Sequence, residues 1–428
     1  MRGRVRRGIR RGLPIEIVAT IGASSYLGGA VGRKETSESK TADEPVAVLL
    51  DPAKTTSGRS RFFCDLAGIL QGLGYRVGFA YPGNVVKVRE YPYPPESLER
   101  TLERRSTAPE GSEEWLRWTP SKSHVITRRS LAVAIHDAAL VVVPATVDLE
   151  VGRAIRSTPG FAGLLLLSDH TGSRLNTGTT EGRAMESYRG WLELVDGVHV
   201  VSDGLAKIAR RHGGRHVFTI PPTIDERAFI SRWRLLLERV VPRHRVILVP
   251  GALLKAKGCV TMLRAFANVR ARHPGWQLDF FGEGPERPIL ETLIRELDLV
   301  DVAKLHGFDS GLATRYRDYP IVASATAFES LPLVLIEAMA AGCVTVFPAT
   351  AGGPATIIRD RRNGFLARTD KEADVAEALE EAIECFESGS RSWRSIQVQA
   401  MKSALVAKRP RVTEAWRAQL EAYECGTA

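Results

Sequence analysis

Glu329 and Glu337 stand either side of a seven-residue, mostly apolar run in the stretch FESLPLVLIEAMAAG (328–342). Pro332 suits the first turn of a helix, and Leu333 to Ala341 are mostly strong helix formers. The helix so expected opens with backbone N–H groups facing outward, and such a start is a ready anion site. Glu337 falls one turn further along, within reach of a ligand hydroxyl. A carboxylate, a bare helix start and a second carboxylate are parts that a site for a diphosphate, a sugar and a ribose needs. The bland alternative is that both acids are solvated carboxylates on a helix and the loop before it.

These residues need elements to position them, and the chain supplies a regular series. From Pro45 onward strands and helices alternate. VAVLL (46–50) reads as a buried parallel strand. The loop DPAKTTSGRS follows, then an amphipathic helix over Phe62 to Leu73 closed by Gly74, then a strand over 76–81. This βαβ unit predicts a parallel sheet with right-handed crossover. Residues 83–128 are polar, charged and Pro-rich, which predicts an insertion or mobile flap. Strands resume at 139–143, 164–167 and 197–201. VILVPG (246–251) opens a second series, and Lys408-Arg409-Pro410 breaks the chain before a last helix, Thr413 to Tyr423, with Trp416 on it.

The ordered series from 280 to 366 resembles the family-4 glycosyltransferases, and FESLPLVLIEAMAAG resembles their Glu-x7-Glu motif. FFGEGPERPILETLIRELDLVDVAKLHGF (280–308), GCVTV (342–346), Gly352-Gly353, IIRD (357–360) and NGFL (363–366) resemble the family's strands, Gly-rich turn and loops in the family's order. The resemblance implies an α/β fold with two Rossmann-like domains facing across a cleft, the GT-B type, and a C-terminal helix crossing back to the first domain. On that pattern residues 1–44 are a basic, disordered extension, 45–225 an acceptor domain and 226–405 a nucleotide-sugar domain. FTIPPTID (218–225) joins the two, and 406–428 hold the crossover helix.

The resemblance also implies an activity: a retaining, metal-independent, hexosyltransferase-like enzyme that takes a nucleotide-diphosphate sugar as donor substrate and needs no cofactor. The acceptor would be a glycan, a glycolipid or another hydroxyl compound, as in polysaccharide biosynthesis. Glu329 would lie beside the donor sugar and Glu337 would bond the ribose. Leu333 and Val334 would offer their amides to the diphosphate. Lys257, in VPGALLKAKG (249–258), would neutralise the leaving diphosphate. The family's accompanying arginine is absent, since Ala252 follows Gly251. Lys255 is a substitute without arginine's bidentate fork. His170, in LLLLSDHTG, resembles the acceptor-side histidine and follows a strand's carboxyl end, where open α/β sheets bind ligands. Its plain alternative is a loop histidine held by Asp169. Gly58 sits in the first strand-to-helix loop, where the family has a glycine pair and this chain has Ser57-Gly58. Gly282 and Phe308 resemble loops lining the nucleotide. Arg59 and Arg61 add positive charge next to the cleft and could meet an anionic acceptor, although they read best as solvated arginines.

Composition bounds the remaining classes. The chain has 428 residues, 44% hydrophobic and 25% charged, which allows two domains of ordinary size. Arg2, Arg4, Arg6, Arg7, Arg10 and Arg11 hold six of the ten net positive charges, so the body is only mildly basic. Such a tail suits a solvated extension or peripheral contact with an anionic membrane. Leu13 to Gly32 is too interrupted for a span or for a signal peptide, so a cytoplasmic place is expected, possible contact being at the inner face of the membrane. Five scattered cysteines without a CxxC pair point to reduced thiols and away from zinc. No Asp-x-Asp pair occurs, nor a Gx4GK[ST] or full GxGxxG loop, so a metal-clamped diphosphate, an NTPase and a plain NAD enzyme are unsupported. Basic and aromatic residues do not interleave, and no nucleic acid is expected. Two other readings stay open: a catalytically weakened homologue that binds nucleotide sugar as a partner or regulatory subunit, favoured by Ala252, and a nucleotide-sugar epimerase.

Overall fold

The structure is a computed structural model, and it describes residues 44–50, 58–82, 98–102, 115–117, 125–170, 181–224, 226–229, 244–389 and 391–426. The basic extension up to residue 43, the loop before Gly58 and much of 83–128 lie outside the described residues.

The first sheet is built from β1 (Val46–Leu50), β2 (Arg76–Pro82), β3 (Leu98–Leu102), β6 (Ala138–Pro144), β7 (Leu164–Asp169), β8 (Gly197–Val200) and β9 (Val217–Thr219). Their order is β3-β2-β1-β6-β7-β8-β9, and every neighbouring pair is parallel. A short antiparallel pair, β4 (Trp115–Arg117) and β5 (Val125–Thr127), stands apart. The second sheet holds β10 (Val246–Pro250), β11 (Gln277–Phe281), β12 (Ala303–Leu305), β13 (Ile321–Ala323), β14 (Val344–Pro348) and β15 (Phe365–Ala367), in the order β12-β11-β10-β13-β14-β15, again parallel throughout. Both sheets have the doubly wound arrangement that alternating strands and helices dictate.

Residues 83–128 differ from the expected flap. Leu98–Leu102 is an edge strand of the main sheet, paired with β2. Its sequence, LERTL, is too charged to read as a buried strand, but charge is common on an exposed edge. The opening helix is also longer than its apolar face suggests, running from Gly58 to Gly72.

The terminal helix Arg409–Glu424 returns to the first sheet. Val412, Trp416 and Leu420 pack with Phe63, Leu66 and Leu70 of the opening helix and with Leu140, Val142 and Leu166 of the strands. A separate cluster joins Ile224 and Ala228, just after the first sheet, to Leu335, Ile336 and Met339 of the motif helix and to Ala400, Ala404 and Ala407. Apolar burial therefore ties the lobes together at two places, one of them under the motif helix.

Candidate functional site

On the second lobe, chain turns at the carboxyl ends of the strands converge. Gly251, Gly282 and Gly307 follow β10, β11 and β12, and the Gly251 and Gly282 amides donate to Phe281 O (2.9 Å) and Gly307 O (2.8 Å). Gly282 has φ +149, and a Cβ there would run into the Gly251 carbonyl oxygen. Only glycine permits this approach. Phe308, next to Gly307, is 61% exposed at the rim.

Lys257 ends a single 3-10 turn, Lys255–Lys257, and Gly258 stops that turn in the left-handed region at φ +67. A Cβ on Gly258 would collide with the Ala325 carbonyl oxygen, so the turn sits tight against the end of β13. Buried Thr326 completes the join, its hydroxyl lying 3.1 Å from Ala256 O and 3.2 Å from Phe328 O. The Lys257 ammonium donates to a Glu329 carboxylate oxygen. Glu329 is itself fixed through its backbone, since Gly353 N donates to Glu329 O at 2.7 Å. Ala252 and Lys255 are both exposed beside this turn, and Lys255 has no ion pair among the described residues.

The motif helix spans Leu333–Ala340. Pro332 is its N-cap rather than its first helical residue, with extended dihedrals (φ −71, ψ 122) and no side-chain cap. The first bond of the helix runs from Leu335 N to Pro332 O (3.1 Å), and the amides of Leu333 and Val334 have no backbone partner among the described residues. The start of this helix therefore offers two amides, together with the positive end of its dipole, to an anion.

Glu337 is buried, at 5% exposure, so the alternative of a solvated surface carboxylate does not describe it. Arg61 Nη1, from the opening helix of the first lobe, donates to Glu337 Oε1 at 2.7 Å, and the Tyr316 hydroxyl donates to Oε2 at 3.4 Å. Burial and the adjacent Glu337 carboxylate push the Tyr316 hydroxyl well above its ordinary pKa, so it stays a donor. Arg61 is thus a cross-lobe residue and not a solvated one. Sequence alone gave no signal for it, because its partner is 276 positions away.

On the first lobe, Gly58 is the first residue of the opening helix and His170 follows β7. His170 belongs to a relay that sequence reasoning missed. His199 Nε2 lies 2.8 Å from the Ile220 carbonyl oxygen, which can only accept, so Nε2 carries the proton. His199 Nδ1 then accepts from the Ser168 hydroxyl (2.9 Å), and Ser168 Oγ accepts from His170 Nε2–H (2.9 Å). The relay fixes the tautomer: in neutral His170 the accepting nitrogen is Nδ1. Phe62 stacks on His199 (5.2 Å between centroids, 10° between planes) and meets the His170 ring edge-on at 4.3 Å. One helix turn thus supplies Arg61 to Glu337 and Phe62 to His170.

Complete burial lowers the His199 pKa from the ordinary 6.5 to about 4. The unfolded chain therefore takes up this proton before the folded chain does. Stability from this group is complete above pH 6.5, is lost as pH falls toward 4, and is lost no further below that; a shift of this size corresponds to about 3 kcal/mol. His199→Gln is expected to flatten this acid limb in urea unfolding measured from pH 7.5 to 4. An unchanged slope would mean that the imidazole is not buried neutral.

Residues 238–392 match the family described as Glycosyl transferases group 1. The segment built on the second sheet is a domain of that class. Curated relatives match over part of their length. An exopolysaccharide phosphotransferase of Streptomyces coelicolor is 35% identical over 136 residues, 32% of this chain and 14% of the relative. The N-acetylgalactosamine-N,N'-diacetylbacillosaminyl-diphospho-undecaprenol 4-alpha-N-acetylgalactosaminyltransferase of Campylobacter jejuni is 30% identical over 148 residues, 35% of this chain and 40% of the relative. The fold match is wider: Anabaena HepE, solved in complex with UDP, superposes with a TM-score of 0.67 at 16% identity, covering 88% of this chain and 100% of that one. The two-Rossmann GT-B architecture is therefore that of this chain.

Proposed function

We propose that this chain is a glycosyltransferase that moves a sugar from a nucleoside-diphosphate sugar to a hydroxyl acceptor. The observation that carries the reading is the Lys257–Glu329 ion pair beyond the carboxyl ends of β10 and β13, followed in sequence by a helix start whose Leu333 and Val334 amides have no backbone partner among the described residues. A diphosphate placed there meets a cation and a helix start. Anabaena HepE, with UDP, and the Campylobacter relative, whose name is that of a sugar transferase, support the same reading.

In the proposed reaction the diphosphate competes with Glu329 for Lys257, and Glu329 is freed toward the sugar. Charge growing on the departing phosphate is met by Lys257 and the helix amides. Transfer with retention follows from attack on the face the phosphate leaves, the phosphate taking the acceptor proton. His170 orients the acceptor hydroxyl. The one group among the described residues with three metal-capable ligands close together, His273, Glu380 and Glu384, stands at the far end of the helix Cys259–Arg270 from Lys257, and Arg272 and His273 already contact Glu380. Lys257 and the amides take the role of cation in this reading. A thermal-shift panel with UDP, GDP, ADP and their sugars tests it, followed by product analysis. A nucleotide at 100 times its Kd stabilises the fold by about 2.7 kcal/mol. Failure of every donor to bind would end the proposal.

A weakened homologue is the second reading, because the side chain after Gly251 is the methyl of Ala252 and Lys257 is neutralised by Glu329. Ala252→Arg tests whether the diphosphate lies beside this position. A charge-assisted bond to the diphosphate is expected to lower the donor KM about tenfold. An unchanged KM would place the diphosphate elsewhere.

A further inference from the structure

A pocket of about 360 Å³ opens between the turn 359–363 and the helix Arg391–Ala404. It shares no residue with the donor site: it lies at the start of the edge strand β15, whereas Lys257 and Glu329 follow the ends of β10 and β13. Its lining includes Arg359, Arg361, Arg362, Ser392 and Ser395 and contains no acid. Arg361 is engaged, with Glu381 at 2.6 Å and with Asp360. Arg359 and Arg362 have no acidic partner among the described residues.

The turn that presents them is built in advance. Asn363, 3% exposed, uses its whole amide: Oδ1 accepts from Arg359 N (2.6 Å), and Nδ2 donates to Ile357 O (3.0 Å) and to Ser403 Oγ (2.9 Å). Arg361 N donates to Gly364 O at 2.8 Å, and Arg361 adopts φ +56, a conformation that costs a non-glycine residue energy. Both side chains are exposed and lack an acidic partner among the described residues, so their forked donors are open to an anion. The volume suits a small ligand rather than a polymer, and the serine hydroxyls suit a phosphate or polyol oxygen.

We propose that this pocket binds a phosphomonoester, with Arg359 and Arg362 as forked donors to the phosphate oxygens and Ser392 and Ser395 as hydroxyl partners. The same chemistry is presented by a free sugar phosphate and by the headgroup of phosphatidic acid. The test uses the full chain, with glucose 6-phosphate in one arm and phosphatidic acid–phosphatidylcholine vesicles in the other, and with sodium sulfate at equal ionic strength as control. One arm or both should show binding that the double variant Arg359→Gln/Arg362→Gln weakens at least tenfold, with the UDP response retained. A shift with glucose 6-phosphate assigns a soluble ligand, and vesicle binding lost in the double variant assigns a headgroup. Ser395→Asp, which places a negative charge in the pocket and removes no arginine, is expected to abolish the same binding should the double variant fold poorly. Equal response to sulfate, or probe binding unchanged in the variants, or no binding of either probe, would overturn the proposal. The donor-site reading stands or falls separately, on the UDP response.

Discussion

Lys257→Ala is expected to lower kcat/KM about a thousandfold while leaving the fold nearly as stable as before. The two halves of this expectation have different physical origins. The Lys257 side chain is 37% exposed and that of Glu329 20%, so their ion pair is screened by water and contributes at most about 1 kcal/mol to stability. Catalysis makes a different demand. In the proposed transfer negative charge grows on the diphosphate as the glycosidic bond lengthens, and a fixed donor aimed at developing charge is worth about a hundredfold to a thousandfold in rate. The upper end is expected because the neighbouring Ala252 offers no second cation. Most of the loss should fall on kcat, since the interaction strengthens as charge develops. Lys257→Arg should recover part of it. Initial rates with saturating acceptor and the urea midpoint of the same preparations measure both halves. A variant that unfolds early yet turns over normally per folded molecule would show that Lys257 is structural.

How far the sequence reveals the molecule depends on the range of the signal. VAVLL, LLLL and VILVP declare themselves as parallel strands because burial on both faces requires unbroken apolar runs, and these runs became β1, most of β7 and β10. LERTL did not, because a strand at the edge answers to solvent on one side. The site divides in the same way. Glu329 and the helix start at Leu333 are one local stretch, legible from Pro332 and the residues after it. The Ser168–His170 contact is local too, but the relay is completed by His199, 31 residues away on β8, and by a carbonyl after β9. Thr326 is invisible for another reason: its value lies in the carbonyl oxygen of Ala256, in a turn 70 residues earlier. A histidine on an apolar strand and a threonine in a loop carry no periodic mark. Only the order of strands in the sheets brings them to their partners.

Arg61 and Glu337 give the second large expectation, one that separates holding the lobes from holding the donor. Glu337→Gln keeps the shape and removes the charge. If Glu337 accepts from the donor ribose, a charge-assisted bond of about 2–3 kcal/mol becomes a neutral one of about 1 kcal/mol, and donor KM should rise about tenfold with kcat little changed. Arg61→Ala acts on stability instead. It strands a carboxylate that is 7% exposed at its side chain with the Tyr316 hydroxyl as its remaining partner among those contacts, and losing one member of a buried pair costs about 3–5 kcal/mol. Arg61, at 19%, can still turn toward water when Glu337 is neutral, so the reverse substitution should cost the fold less. The double variant Arg61→Ala/Glu337→Gln is therefore expected to be more stable than Arg61→Ala alone, by about 2 kcal/mol, because the stranded charge is gone. Urea unfolding of the four proteins measures that coupling, and donor titrations on the same samples measure the KM effect. Additive stabilities would mean that the pair does not join the lobes. A normal donor KM in Glu337→Gln would move the ribose away from the motif helix, even with the coupling intact.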